Sequence, residues 1–346
     1  MGTKNASEYR QKLTDMFMEL LQDSLDHPVN WHQGWTYALA GTAPYNAARG
    51  NSYRGINRFY LALVAHKQGF GDPRWATMKQ IQENGWHLEK GSKGYEVEYW
   101  FPYDIENHKG LTWKEYDTMV LKGESTEDII IRPRYFYVFN ASLITGIPPL
   151  ETAAKAIVEP DELISRLSES MNVPIMHFIN SSCAYNPYRD SIVTPPPECF
   201  ESSYEYNSSV LHELAHSTGH SSRLDRPLST VFGSTAYARE ELVAEITSAF
   251  MGAHLEMPEG DHPDTEQHRE YVRGWLQNLR NDPYMLADAI KDAEKASEYM
   301  EYHAGIIDKK TMLEGASKSR TIETVKDNSA EMETPVQQKA QNTMRL

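Results

Sequence analysis

The sequence is poor in cysteine and has no long apolar run. Only two cysteines, Cys183 and Cys199, occur among the 346 residues, and they do not form a CxxC pair. This excludes a disulfide framework and a cysteine-rich zinc site. No stretch approaches the roughly eighteen uninterrupted apolar residues that a membrane helix needs. The polar first ten residues also lack the apolar segment of a secretory signal. We therefore expect a cytoplasmic protein that does not associate with membranes.

An overall positive charge is lacking as well. The formal net charge is −15, which argues against a nucleic-acid partner for the chain as a whole. The segment between Trp31 and Trp100 differs, because it holds eight lysines and arginines but only five acidic residues. This local excess of cations is compatible with strand binding without establishing it.

Aromatic and cationic side chains alternate within that segment. Single strands bind in cationic grooves whose aromatic side chains stack on the bases. The residues that fit this description are Tyr53, Arg54, Arg58, Trp75, Lys79, Lys90 and Lys93. There is also a simpler interpretation, in which Tyr53 and Trp75 belong to the core and the cations form a solvated surface. From the residues alone, we favour this simpler interpretation.

The periodicity of the chain predicts an α+β protein with two domains and a tail. Predicted helices cover about 7–25, 55–68, 78–83, 113–120, 160–171, 206–218, 236–254, 267–278 and 285–301. Predicted strands cover 94–101, 129–139, 177–180 and 191–193, whereas 27–53 reads as a loop. We expect a first domain over 1–150, with a small sheet, helices and a polar insertion at about 104–128. A second domain would span 151–308, followed by a disordered polar tail over 309–346.

A metal-binding motif lies in the predicted helix 206–218. His212, Glu213 and His216 form the pattern HExxH, in which two histidines at i and i+4 project from one helix face and can reach one ion. Glu213 lies on the same side of the helix, where it could accept a proton from the attacking water. HExxH also occurs by chance on polar helices, so a third ligand is needed to support the assignment.

The third ligand has two candidates. Position 222, where a metzincin would have its third histidine, is Ser222, which excludes that type of site. The gluzincin solution uses a carboxylate from a later helix, and Glu241 and Glu245 lie at i and i+4 in the predicted helix 236–254. We favour Glu241 as the ligand and Glu245 as the partner of a ligand histidine, although the reverse is open. The motif predicts one Zn²⁺ per chain. His220, just past the predicted helix end, is either an oxyanion donor or, as we favour, a cap or surface residue.

Several motifs together resemble the ArdC-like antirestriction proteins of plasmids and conjugative elements. In the second half these are HELAHSTGH at 212–220, SRLDR at 222–226 and YAREELVAE at 237–245. In the first half they are PYN at 44–46, YRGIN at 53–57, WATMKQ at 75–80, KGSKG at 90–94, FYVFN at 136–140 and GIP at 146–148. The resemblance covers about residues 7–305.

The resemblance implies an N-terminal domain that binds single-stranded DNA, joined to a zincin-like metallopeptidase domain. It also implies protection of incoming DNA from host restriction. Given the resemblance, we favour the seven aromatic and cationic residues above as DNA contacts over their interpretation as core and solvated surface. Two alternatives stay open. The chain could be a cytoplasmic zinc endopeptidase whose N-terminal half recognises protein, or a DNA-binding antirestriction factor with a catalytically silent metal site.

Overall fold

The structure is a computed structural model, and it describes residues 6–26, 39, 43–150, 160–228, 233–252 and 266–312. The helices are α1 Ala6–Asp26, α2 Gly55–Gln68, α3 Met78–Glu83, α4 Trp113–Lys122, α5 Pro160–Met171, α6 Ser203–Ser217, α7 Thr235–Gly252, α8 Glu266–Asn281 and α9 Tyr284–His303. No described helix is long and apolar enough to cross a bilayer.

Short and long strands accompany the helices. They are β1 Tyr45–Asn46, β2 Arg74–Thr77, β3 His87–Leu88, β4 Tyr95–Asp104, β5 Lys109–Gly110, β6 Ile129–Asn140, β7 Ile144–Thr145, β8 Ile175–His177, β9 Ala184–Asn186 and β10 Ser191–Thr194. The α+β class predicted from the sequence is confirmed.

The described chain divides into two compact units. The first holds the residues up to Lys93 and those from Phe139 to Lys309, and the second holds residues 94–138 and 310–312. The predicted boundary near residue 150 stays a prediction. Of the predicted tail, residues 309–312 are helical, and 313–346 lie outside the described residues.

Helix α7 is central in the first unit. It packs against α6, α8 and α9, while α2 packs on α9 and α1 packs on both α8 and α9. One buried core joins residues of α5, α6, α7 and α9, among them Leu163, Leu214, Ala244 and Met300. Burial of a leucine or methionine side chain stabilises the packing by roughly 1.5–3 kcal/mol. The two helices that carry the predicted metal ligands are therefore held in a common core.

Two small sheets also belong to the first unit. In one, β10 pairs in parallel with β8 and antiparallel with β9, which leaves β9 at the edge. In the other, β3 pairs antiparallel with β7. The sequence pattern did not indicate β2, β3, β5, β7 or β9, nor β1 within the predicted loop 27–53. The strand predicted at 177–180 was misplaced, because β8 ends at His177. Strands of two to four residues are too short to show clear alternation.

The second unit is built on a long antiparallel pair. Strand β4 pairs with β6 from Tyr95 opposite Val138 to Asp104 opposite Ile129, and β5 adds to the end of β4. Helix α4 lies within the insertion predicted at about 104–128. It begins with a capping box in which Thr112 and Glu115 bond each other's backbone, and it ends at Gly123 in the left-handed region. The helix predicted at 113–120 is confirmed.

Candidate metal centre

Two histidines of α6 and one carboxylate of α7 meet at a single point. His212 Nε2 lies 3.1 Å from His216 Nε2 and 3.4 Å from a Glu241 carboxylate oxygen. His216 Nε2 lies 3.6 Å from the other Glu241 oxygen. The ligand atoms of the three residues all lie within 4.8 Å of one another. Two imidazoles and one carboxylate form the donor set of a catalytic metal site with an open coordination position, so these residues fit a divalent ion.

The other ring nitrogen of each histidine contacts a second carboxylate. His212 Nδ1 lies 3.0 Å from Glu245 Oε2, and His216 Nδ1 lies 3.2 Å from Glu240 Oε1. Such partners fix the orientation of a ligand imidazole and direct its Nε2 toward the metal. The helical spacing in the sequence predicted Glu245 for this position but did not indicate Glu240.

Glu240 is itself held by Arg226, a residue of the loop that follows α6. The Arg226 guanidinium donates to both Glu240 oxygens, at 2.8 and 3.2 Å. It also donates to Thr218 Oγ1 at 2.7 Å and to the Ala215 carbonyl at 3.1 Å. Both charged side chains are buried. Arg226 thereby connects the end of α6 to the start of α7.

The charges of this cluster shift its pKa values strongly. Burial would lower the pKa of His212, but hydrogen bonds and charges of Glu241 and Glu245 outweigh burial and raise it well above its ordinary value. In the same way Glu240 and Glu241 raise the pKa of His216 to about 9 against the effect of burial. Burial would raise the pKa of Glu241, yet the two imidazoles lower it. A metal ion would therefore replace protons that the cluster otherwise holds.

Glu213 lies next to the ligand pair and is held by the edge strand β9. Its Oε2 accepts a hydrogen bond of 2.7 Å from the backbone N–H of Tyr185. The carboxylate is half-buried. Glu213 therefore has a defined orientation, and it depends on the position of a strand that the sequence pattern did not indicate.

A second network holds the hairpin of β9 and β10. The Tyr185 hydroxyl donates to Asp190 Oδ1 at 2.7 Å, and Arg223 Nη1 donates to Asp190 Oδ2 at 3.0 Å. Arg223 Nε also donates to the carbonyl of Ser217 at the end of α6, at 2.7 Å. Asp190 has a φ of 49° in the turn between the strands. The network therefore ties the turn of the hairpin to the helix that carries the two histidines.

His220 lies beyond the end of α6, in the turn that follows. Its Nδ1 lies 2.8 Å from Ser222 Oγ and 3.8 Å from Asp190 Oδ2. These are contacts within and next to a local turn. A role of His220 as an oxyanion donor stays a prediction.

Comparisons with known proteins match both halves of the chain. A model described as the N-terminal domain of anti-restriction factor ArdC matches residues 7–139, and a model of a zincin-like metallopeptidase matches residues 162–292. The uncharacterized protein y4eC of Sinorhizobium fredii (strain NBRC 101917 / NGR234) is 30% identical over 292 residues, which cover 84% of this chain and 91% of that protein. This chain belongs to the ArdC-like antirestriction family.

Solved structures of the ArdC-like family resemble it over most of its length. The metal-free crystal structure of antirestriction ArdC protein from the R388 plasmid has a TM-score of 0.64 at 28% identity, covering 87% of this chain and 99% of that one. The Mn(II)-bound structure has a TM-score of 0.63 at 27% identity, covering 86% and 99%. A relative of the same fold therefore binds a divalent metal.

Two longer relatives come from Escherichia coli. Both are named DNA primase TraC and are 37% identical over 275 and 277 residues, which is 78% of this chain. The matched part makes up 18% and 25% of those proteins. The chain thus spans a quarter or less of the length of these primases.

The structure buries part of the DNA-binding set expected from the resemblance to the ArdC-like family. Trp75 is fully buried, 6.0 Å from the ring of Phe70 in an edge-on contact. Arg58 is also buried and donates to the Phe250 carbonyl. Tyr53 is half-buried, and burial raises the pKa of its hydroxyl. Base stacking on Trp75 and phosphate contact by Arg58 do not fit these placements.

The other members of that set are on the surface. Lys79, Lys90 and Lys93 are exposed, and Lys79 lies 3.6 Å from Glu83. Arg54 keeps 44% of its side-chain surface exposed while it pairs with Glu294 at 3.3 Å and with Glu298. For these four residues, DNA contact stays a prediction.

Proposed function

We propose that this chain is an antirestriction protein with an active zinc-dependent peptidase site and a separate site for single-stranded DNA. The observation that carries the peptidase proposal is the meeting of His212, His216 and Glu241 beside an oriented Glu213. A purely structural metal site has no use for a general base in that position.

Each residue has a distinct task in the proposed hydrolysis. His212, His216 and Glu241 would hold the metal. A bound zinc ion would polarise the peptide carbonyl and lower the pKa of water to about 7. Glu213 accepts the proton of the attacking water and delivers it to the leaving amine as the C–N bond breaks. The Tyr185 N–H orients Glu213 through one carboxylate oxygen, which leaves the other oxygen for the proton.

Zinc is proposed from the donor set, since two imidazoles and one carboxylate suit Zn²⁺. The relative from R388 was crystallised with Mn(II), so both metals are tested. We expect purified protein to contain one equivalent of zinc, and apo-protein to bind Zn²⁺ more tightly than Mn²⁺ in titration calorimetry. Freshly purified protein without metal, or a preference for Mn²⁺, would rule out zinc as the resident ion.

The role of the peptidase is tested with Glu213→Gln. The amide keeps an oxygen for the Tyr185 N–H but cannot accept the proton. Metal content should stay at one equivalent, while hydrolysis of labelled casein should fall by roughly 100-fold or more. Glu198→Gln, at an exposed carboxylate outside the site, is the matched control.

The same pair of variants separates the peptidase function from antirestriction. We expect Glu213→Gln to lose protection of incoming DNA in a restriction-proficient recipient, whereas Glu198→Gln protects like the unmodified protein. Full protection by Glu213→Gln would favour the second candidate, an antirestriction factor with a silent metal site. That candidate is supported by the family membership alone.

The single-strand proposal rests on the match of residues 7–139 to the ArdC N-terminal domain and on relatives that are named as DNA primases. We expect the full chain to bind a labelled single strand more tightly than the duplex, with an affinity that falls as salt rises. Equal or weaker binding to the single strand in fluorescence anisotropy would refute it, and recognition of protein by the N-terminal half would then be the alternative.

A further inference from the structure

One face of the β4–β6 pair in the second unit combines aromatic and cationic side chains. Residues directly opposite each other in an antiparallel pair share a face. Tyr99 lies opposite Arg134, and Phe101 lies opposite Arg132. Together with their neighbours on the same face they form what we call the aromatic–arginine face: Tyr99, Phe101, Tyr103, Arg132, Arg134 and Phe136.

The aromatic rings of this face form a continuous row along β4. The rings of Tyr99 and Phe101 are nearly parallel, at 6° with centroids 6.4 Å apart, and Tyr103 follows at 6.4 Å from Phe101. Tyr99 is 49% exposed and Phe136 is 39% exposed. Large aromatic side chains usually bury most of their surface. The aromatic–arginine face instead keeps ring surface in contact with solvent at two positions, Tyr99 on β4 and Phe136 on β6.

The two arginines lie over the rings of the row. The Arg132 guanidinium is 4.5 Å from the centroid of Tyr103, and that of Arg134 is 4.8 Å from the centroid of Phe101. Both arginines are exposed. Among the described residues neither pairs with a carboxylate, so their N–H donors remain available for an anion. A stacked guanidinium is preorganised to bind phosphate.

None of the carboxylates of β4 and β6 lies on this face. Glu96, Glu98 and Asp104 alternate with the aromatic residues along β4, so they point to the opposite face. The other acidic residues of the second unit lie in the segment 105–128, between the two strands. The acidic side chains of β4 therefore point away from the rings and guanidinium groups of this face.

We propose that the aromatic–arginine face binds single-stranded nucleic acid, with bases stacked on Tyr99 and Phe136 and phosphates held by Arg132 and Arg134. Rings offer a sequence-independent surface for unpaired bases, and guanidinium groups neutralise the backbone. Bases in a duplex are stacked on one another and cannot reach such rings. The inference rests on the proposed single-strand binding and places it at residues other than those that the sequence indicated.

The test uses the chain of 346 residues, a fluorescein-labelled oligothymidylate and anisotropy over roughly 50 to 200 mM salt. Arg132→Gln with Arg134→Gln should flatten the slope of log affinity against log salt by about 1.4, since each cation contributes about 0.7 on a single strand. Tyr99→Thr with Phe136→Thr removes two stacking rings and should weaken binding by roughly 30-fold or more, with the salt slope unchanged. Threonine keeps the β-propensity of the strands.

Lys109→Gln with Lys122→Gln is the matched control. Both lysines are exposed in the same unit but lie outside the face, where they pair with Glu115 and Glu124. We expect affinity and slope close to those of the unmodified protein. If the arginine and aromatic variants also bind normally, the face is not the site, although single-strand binding itself stands. If the unmodified protein does not bind, both proposals fall. Thermal melting checks that each variant is folded.

Discussion

The guanidinium of Arg58 donates a hydrogen bond of 3.1 Å to the backbone carbonyl of Phe250 and lies 3.9 Å from the centroid of its ring. Arg58 belongs to α2, in the half that matches the ArdC N-terminal domain, whereas Phe250 belongs to α7, which carries Glu241. Arg54 of the same half pairs with Glu294 and Glu298 of α9. Residues that the sequence suggested as DNA contacts thus join the two halves of the chain within one compact unit.

We predict that Arg58→Met destabilises the protein without changing its affinity for single strands. The loss of a buried hydrogen bond from a charged donor costs about 1.5–3 kcal/mol, part of which the methionine regains by packing on Phe250. Urea denaturation measures the free energy of unfolding, and anisotropy measures the affinity. Lys79→Gln, at an exposed cation, is the control for stability. A drop in affinity at unchanged stability would instead make Arg58 a DNA contact.

We predict that Glu240→Gln weakens metal binding while leaving the three ligands in place. The amide cannot stabilise a positively charged or strongly polarised His216, so the affinity should fall by roughly 10- to 100-fold. The substitution also leaves the buried Arg226 without its charge partner. This should lower the free energy of unfolding by about 3 kcal/mol or more. Titration calorimetry and urea denaturation measure the two effects.

Glu241→Gln provides the comparison, because it changes a ligand and should abolish stoichiometric metal. An affinity for Glu240→Gln equal to that of the unmodified protein would show that His216 does not need this carboxylate.

We predict that Asp190→Asn destabilises the protein at neutral pH and that the loss disappears in acid. Partial burial would raise the pKa of Asp190, but hydrogen bonds from Arg223 and Tyr185 outweigh it and lower the pKa below its ordinary value of 3.8. A lowered pKa adds stability above the ordinary value, and this stability is lost as the pH falls through the lowered one. Asparagine tolerates the positive φ of this position.

The expected loss is about 1 kcal/mol at pH 7, because solvent screens the partly exposed pair. Urea denaturation of both proteins at pH 7 and at steps below pH 3.8 measures it, since the difference is lost only as the pH falls through the lowered pKa of Asp190. A difference between the two proteins that grows in acid would contradict the assigned role of the carboxylate.

Local periodicity explains which parts of the fold were predictable. The helices that were predicted at 55–68, 78–83 and 160–171 have those same bounds in the structure. Strand β9 was missed because three residues show no pattern, although it supplies the Tyr185 N–H that orients Glu213. Trp75 and Arg58 matched the residue types of a nucleic-acid site, but both are buried. A sequence does not reveal whether an aromatic or cationic side chain points outward.

The sequence by itself determined that His212 and His216 share one helix face, since the spacing of four residues follows from helix geometry alone. It also restricted the third ligand to a pair of carboxylates four residues apart. Only the packing of α7 on α6 decided that Glu241 faces both Nε2 atoms while Glu245 and Glu240 face the Nδ1 atoms. The contact of Arg226 with Glu240 was decided in the same way. Contacts between elements depend on how helices and loops pack, and no local spacing in the chain encodes that geometry.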